Sequence, residues 1–324
     1  MVIDVAEVKV GTQGGLVHPE PLWRVRMRLW RKGLGGTWEA FWESRLGPIG
    51  LGLILFFILL AASYPLLMRF YWNPMVYDPV TGFDFEVFTH PSEPSLRHWL
   101  GTDPYGRDVF SQLAYSTSRE FALGLLAAVV TVVIGTMVGT AAAYYGGFTD
   151  TFFMRLADLF LLFPAIPILI VVSSAWPLDV LQLAIVLGVL GGFGPITIVL
   201  KSQALSVGVR PYIDAARVAG GSDFHILRTH IIPNVMPISF LYMMFNVTGA
   251  IASEATLSFF GLLNVRMSWG LMIDTANTGG YLLDFAHYWW LWAPSGLAIT
   301  LFCAAFYLVG RGLETVFNPR LRKR

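Results

Sequence analysis

Residues able to make or break bonds are few and poorly spaced for it. The only lysines are Lys9, Lys32, Lys201 and Lys323, and none stands in the GxxxxGKS or GxxxxGKT frame of a nucleotide-binding loop. His225 and His230 are five apart, not the four that set two imidazoles on one helical face for zinc, and no GxSxG elbow occurs. Cys303, the single cysteine, lies in an apolar run, which excludes a disulfide framework and a cysteine metal site. An intramembrane enzyme would have only Glu254, Asp158 and nearby polar groups to work with.

The informative spacing belongs to docking. From Tyr212 to Pro237 a polar, helix-prone stretch lies between long apolar runs. Asp214, Ala215 and Ala216 open a helical turn with good helix formers and an acid near the positive end of the helix dipole. Gly220 and Gly221 stop it, since glycine accepts the left-handed conformation that ends helices. Ser222 caps a second helix with Asp223 in its first turn, and Phe224, Leu227 and Ile231 share one face by their spacing. Pro233 and Pro237 lead into the next apolar run. The pattern reads as helix, glycine corner, helix; by spacing alone an amphipathic linker lying on a membrane surface fits equally well.

The elements that must position this segment are membrane spans. Of 324 residues 55% are hydrophobic and 13% charged, against about 25% charged in soluble domains. Six uncharged runs approach the ~20 residues that cross a bilayer: Gly47 to Met68, Phe121 to Gly147, Leu159 to Leu178, Val180 to Leu200, Ile231 to Ser253 and Tyr288 to Gly310. The third and fourth are separated only by a turn around Trp176, Pro177, Leu178 and Asp179, as in a helical hairpin. Six spans leave both termini on one side. With the N-terminus inside, and with Arg155 near a span end left aside, the inner segments carry sixteen Lys and Arg and the outer ones five, which obeys the positive-inside rule and puts Asp214 in the cytoplasm. The chain divides into a cytoplasmic tail, 1–46, and a six-span transmembrane body, 47–324, with an outer segment at 69–120 and a cytoplasmic segment at 201–233.

Local patterns refine this picture. In the tail, Trp23, Met27 and Trp30 share one helical face and Arg24, Arg28 and Arg31 another, which predicts an interfacial helix; the same residues also alternate as in a strand. Prolines and aromatics in 69–120 predict a small folded excursion. At its end Asp103, Arg107 and Asp108 form a polar cluster at the outer mouth, read first as an internal lock, with Gly106 permitting a tight turn. Gly135 and Gly139 are a small-xxx-small pair, which predicts a buried interface helix. Arg155 and Asp158 can neutralise one another three apart. Pro164 and Pro167 kink the third span while Gly194 and its neighbours weaken the fourth, which makes these two candidates for pore lining and gating, or for simple packing irregularity. Glu254 either faces an aqueous vestibule or begins a short re-entrant helix. Trp289, Trp290 and Trp292 mark the outer interface.

Asp214-Ala215-Ala216, Gly220 six positions after Asp214, and Ile232-Pro233 resemble the "EAA" signature of the membrane subunits of binding-protein-dependent ABC importers. The family pattern is Glu-Ala-Ala, three residues, Gly, nine residues, an apolar position, one residue, Leu-Pro. Here Asp214 replaces Glu, Ile232 replaces Leu, and His230 takes the apolar position as in the peptide-permease branch. His98-Trp99-Leu100-Gly101-Thr102-Asp103 with Gly106-Arg107-Asp108 resembles the C-type subunit of dipeptide and oligopeptide importers. Glu254-Ala255-Thr256-Leu257-Ser258-Phe259-Phe260-Gly261 is similar to the same subunits, as are Ser268-Trp269-Gly270 and the ending Gly310-Arg311-Gly312-Leu313-Glu314, where the family's Asp and Arg positions hold Arg311 and Glu314.

The resemblance implies an all-α integral membrane protein of six transmembrane helices, type I ABC importer permease-like. It implies that Asp214, Ala215, Ala216, Gly220, Gly221, Ser222, Asp223 and Pro233 form a coupling helix docked on a separate ATPase. ATP and Mg would bind partner subunits and no cofactor this chain. The implied partners are a homologous B-type permease subunit, two ATPase subunits, an extracytoplasmic solute-binding protein and the bilayer, with no nucleic acid; the implied location is the bacterial or archaeal inner membrane. Family cargoes are dipeptides, oligopeptides, nickel and oligosaccharides, peptide being the first choice here. The rival class is an ion-coupled secondary transporter or channel, for which the chain offers no internal repeat and whose midplane charges it lacks.

Overall fold

The computed structural model describes residues 38–176 and 178–317. The tail residues Trp23 to Arg31, Pro177 and the ending from Asn318 lie outside the described residues. From Phe41 onward the chain forms one compact unit, which holds every element below. These are α1 (Leu46–Phe70), α2 (Val109–Tyr145), α3 (Gly147–Leu162), α4 (Ala165–Ala175), α5 (Val180–Phe193), α6 (Pro195–Gly208), α7 (Pro211–Val218), α8 (Ile232–Phe259), α9 (Trp269–Thr278) and α10 (Trp289–Phe317). Among the described residues no strand occurs beyond a single Thr102–Asp108 bridge.

α2 is the axis of the unit, packed against α1, α5, α6 and α8. Its 37 residues extend roughly 55 Å at 1.5 Å per residue, well beyond the ~30 Å hydrocarbon core. It begins at Val109, twelve residues before the expected Phe121, because Arg119 and Glu120 interrupt the uncharged run without interrupting the helix. Glu120 is 2% exposed, and the Arg119 guanidinium lies 4.9 Å over the Tyr115 ring. The excursion between α1 and α2 is therefore shorter than 69–120. It is folded, as expected: a helical turn at Pro74–Tyr77 capped by Asn73, an Asp78 turn and the 102–108 bridge.

Small residues make the helix seams. A Cβ on Gly139 would stand 2.8 Å from the Thr197 carbonyl oxygen and 2.9 Å from the Lys201 nitrogen, and one on Gly135 2.7 Å from Ile196 Cγ2. The predicted pair thus brings α2 against the backbone of α6. A second seam, not anticipated, joins α1 to α10, where a Cβ on Gly50 would meet the Ala305 oxygen and Val309 nitrogen at 2.7 Å. The lipid-type face of α1 stays open at Leu55, Phe56, Leu59 and Leu66.

Two spans are broken, as the prolines and glycines predict. α3 and α4 meet at 84° around Phe163 and Pro164, and α5 and α6 at 46° around Gly194. Pro167 makes no kink; it sits in the first turn of α4, where its missing N–H leaves no helical bond unmade. Counting each bent pair as one gives up to six spans, with four unbroken helices that qualify alone. Asp179 closes the hairpin with a capping box, accepting the Gln182 N–H at 2.8 Å while Gln182 Oε1 accepts its own at 3.1 Å.

Trp269 ties the far side together. It is fully buried, its ring 5.8 Å from Phe57 of α1 and 5.4 Å from Phe302 of α10, and its indole N–H donates to the Leu113 carbonyl of α2 at 3.3 Å. Trp290, expected at the interface, is 2% exposed. It packs beside His287 and Tyr288, because the loop before α10 folds back over it, and of the three tryptophans Trp289 is the one plainly exposed.

Candidate functional site

The segment from α6 to α8 has the predicted shape, with sharper detail. α7 starts at Pro211, ahead of Asp214, with proline in its first turn. Ile213 is buried with Leu200, Ala204, Val207, Ile226, Leu227 and Ile231, which anchors the outward-facing surface of α7. Gly220, at φ +81°, ends it: the Gly221 N–H donates to the Ala216 carbonyl and the Gly220 N–H to that of Arg217, both at 3.0 Å. These two bonds are a Schellman ending, which satisfies carbonyls the helix leaves over. Ser222 then accepts the His225 N–H at 3.3 Å and starts the next helix.

Phe224 does not join the buried face. Ile226 turns inward to meet Ile213, so the covered stripe is Ile226, Leu227 and Ile231 while Phe224 at its edge stays exposed. From Leu227 to Ile231 the helix is π-type, the Ile232 N–H reaching the Leu227 carbonyl; the wider turn carries the chain past Pro233 into α8, so that Asp223–Phe259 is one long helix. Around the corner Tyr212, Val218 and Phe224 present an exposed apolar surface. Asp214 and Arg217 pair at 3.1 Å on it; Ala215 is exposed beside them, while Ala216 is half-buried and packs inward on the Ile213 cluster. The end of α2 braces the corner, since the Tyr144 hydroxyl donates to Asp223 Oδ1 at 2.7 Å and Arg217 lies 5.5 Å over the Tyr144 ring. Lys201 of α6 pairs with Asp150 of α3 just above.

At the opposite end of α2 the predicted cluster is an internal lock. Asp103 accepts the Tyr105 and Arg107 N–H groups at 2.9 Å, the Arg107 Nε at 2.6 Å and the Gln112 amide at 2.9 Å. Gly106, at φ +79°, makes the turn between them. Asp108 caps α2 by accepting the Ser111 N–H at 2.6 Å. Two residues complete this end: Asp84, which sequence reasoning missed, and His98, which it placed in the motif but gave no part in the polar cluster. Both are 1% exposed, and no spacing rule links Asp84 to a histidine fourteen residues on.

Glu254 lies inside α8, near its end, 2% exposed. It neither begins a re-entrant helix nor faces open water. It lies beside the buried Glu120 of α2 and accepts the Ser258 hydroxyl at 2.5 Å. Sequence reasoning missed Glu120, which reads as a loop acid beside Arg119. Arg155 and Asp158 pair at 3.4 Å on the exposed face of α3, and Arg311 pairs with Glu314 on α10.

Between the bend of α3–α4 and the middle of α2, α5 and α8 lies a cavity of about 300 Å³. Thr131, Asn246, Gly249 and Ser253 line it with Phe160 and Phe163. Pro164 and Pro167 border a neighbouring hollow, and Pro195, next to Gly194 at the second bend, reaches the cavity. No acid or base contributes to its wall.

Residues 121–323 match the family described as the inner membrane component of binding-protein-dependent transport systems. The chain is 30% identical over 290 residues to the dipeptide transport system permease protein DppC of Bacillus subtilis strain 168, a match covering 89% of this chain and 86% of that one. It is 29% identical over 307 residues to the oligopeptide transport system permease protein OppC of the same organism, covering 94% of each. With the glutathione transport system permease protein GsiD of Pectobacterium atrosepticum it shares 29% identity over 296 residues, 90% of this chain and 94% of that protein. A long bundle of membrane-crossing helices, a family match over most of its length and permease relatives along nearly all of it lead to one assignment: the chain belongs to the multi-pass inner membrane components of binding-protein-dependent transport systems.

Proposed function

We propose that this chain is one of two permease subunits of an ATP-driven peptide importer, and that it couples to its ATPase through the corner at Gly220. The observation that carries the reading is the corner itself. A Schellman-ended helix is anchored by Ile213 and Ala216, braced by Tyr144, and leaves Tyr212, Val218 and Phe224 uncovered around Asp214 and Ala215. Uncovered apolar side chains beside a charged pair offer a partner both packing and polar contacts. A rigid lever is what transmits motion: α7 packs through Ile213 on α6, and Asp223 opens the helix that runs on as α8, so displacement of the corner moves two spans.

In this scheme ATP and Mg are held by two ATPase subunits, and a homologous B-type subunit forms the other half of the path. An extracytoplasmic binding protein delivers the cargo. The N-terminus is cytoplasmic, which places the α7 corner inside and the excursion before α2 outside. Closure of the ATPases shifts the corner, the bent pairs α3–α4 and α5–α6 rearrange about Pro164 and Gly194, and the cavity between them opens to the other side. Its uncharged wall suits a cargo recognised upstream, by the binding protein. Peptide is the chosen class because the relatives are named for dipeptide, oligopeptide and glutathione transport, all of them peptides.

Co-purification with candidate ATPase subunits tests the coupling, comparing wild type with Asp214→Arg and Gly220→Pro and following ATP hydrolysis in the assembled complex. Variants that reach the membrane but lose the ATPase or its stimulation support the reading. A wild-type chain that binds no ATPase, or that alone moves solute down an ion gradient, overturns it.

A further inference from the structure

His98 stands between two carboxylates, and its two ring nitrogens account for both. Nδ1 is 2.8 Å from Asp108 Oδ2 and Nε2 is 3.1 Å from Asp84 Oδ2. A neutral imidazole carries one N–H and one bare lone pair; whichever tautomer forms, one carboxylate would face the lone pair. The proton that resolves this has no better place among the three groups. Asp84 already takes Arg97 Nε at 2.5 Å, Arg97 Nη2 at 3.0 Å and the Glu86 N–H at 3.0 Å, a donor set suited to the anion. Asp108 caps the N-terminus of α2, where the helix dipole favours negative charge.

We propose that His98 is held as an imidazolium and acts as a pH-sensitive latch, tying the excursion around Asp84 to the start of α2 through Asp108. Its loss of a proton frees one of the two ties. The segment so held carries Phe85 and Phe88 and, before His98, Leu96, all strongly exposed, so the latch decides whether this apolar tip is held at a set place above α2. The proposal goes beyond the importer reading and does not depend on which side of the membrane the excursion lies.

The groups facing His98 are few. Asp84 comes from the loop after the Pro74–Tyr77 turn, with Arg97 and Glu86 paired beside it. Asp108 comes from α2. From the turn itself comes Tyr77, its ring 5.7 Å away and its hydroxyl donating to the Arg97 carbonyl at 2.8 Å. Burial pulls the imidazole pKa down, but the hydrogen bonds and charges of Asp108 and Asp84 outweigh it and hold it above the ordinary 6.5. The Asp84 carboxyl, pushed up by burial, ends below its ordinary 3.8 through its backbone bond to Glu86, the His98 contact and the Arg97 charge. The signs follow. A raised histidine gives stability that is complete below 6.5 and lost as pH rises through the folded value; a lowered aspartate gives stability lost as pH falls through its folded value. The excursion is tightest between the two.

Hydrogen exchange of the complex in lipid nanodiscs, followed over peptides covering 78–103 from pH 5.5 to 10 and corrected for the intrinsic pH dependence, reads the latch. Amides that report it are Ser95 and Gly101, which donate to the His98 carbonyl, and Val87, which donates to that of Asp84. In wild type their protection should fall about tenfold, the scale of one charge-assisted hydrogen bond, with a midpoint above 6.5. His98→Gln should show the lower protection at every pH with no transition. Asp84→Asn, which keeps the size of the side chain and removes one charge, should move the midpoint to lower pH. Flat protection in wild type, a transition that survives in His98→Gln, or an unmoved midpoint in Asp84→Asn each overturns the proposal.

Discussion

The corner at Gly220 makes a demand that a graded series of side chains can measure. Its φ of +81° lies in the left-handed region, and a Cβ there would meet nothing within 4 Å. The cost of a substitution is therefore backbone strain alone, about 1–2 kcal/mol for an ordinary L-residue, or a factor of about 5–30 in the population of the corner as built. Asparagine tolerates this conformation better than alanine, and β-branched valine worst. If the ATPase docks on the corner, affinity of the solubilised complex for its ATPase should fall in the order Gly, Asn, Ala, Val, with Gly220→Ala weakened about 5- to 30-fold. Titration of ATPase onto immobilised permease complex gives the affinity, and ATP hydrolysis at saturation shows whether a docked ATPase is still stimulated. Gly208 supplies the control: it ends α6 with ordinary φ and open space around it, so Gly208→Ala should bind like wild type. Equal affinity across the Gly220 series, or an equal loss in Gly208→Ala, would refute the claim that the left-handed turn sets the docking geometry.

Two further predictions concern the packing. Gly139→Ala should destabilise the unit by about 1–3 kcal/mol, since its Cβ meets backbone atoms of α6 that cannot turn aside; Gly135→Ala, whose nearest contact is the Cγ2 methyl of Ile196 and not backbone, should cost less, and Gly52→Ala, in open space on α1, nothing. Thermal unfolding of the detergent-solubilised protein, followed by size-exclusion chromatography, ranks them, and an equal effect at Gly52 and Gly139 would count against the seam. Trp269→Ala should lower stability by about 3–5 kcal/mol because Trp269 joins Phe57, Phe302 and the Leu113 carbonyl. Trp269→Phe should lose only about 1 kcal/mol, mainly the hydrogen bond; the same thermal assay decides, and equal losses in the two variants would show that the rings contribute little.

Local chemistry was legible in the sequence wherever a residue acts on its chain neighbours. Gly220 and Gly221 announce a helix stop because only glycine takes the left-handed turn cheaply, Ser222 announces a cap, Pro164 and Gly194 announce breaks, and Gly135 with Gly139 announces a close helix contact. Uncharged runs of membrane length announce the spans. Only tertiary structure decided which charge is buried against which. Arg119 and Glu120 look like the end of a loop, yet Glu120 lies inside the helix core opposite Glu254, 134 positions further along. Asp84 looks like an ordinary loop residue, and His98 like one position of a motif, until the excursion folds back on Asp108, and Phe224 looks buried until Ile226 meets Ile213 in its place. The physical reason is common to all of these. Periodicity and turn chemistry are properties of short stretches, whereas burial and charge pairing depend on which distant elements the packing brings together, and no local pattern carries that information.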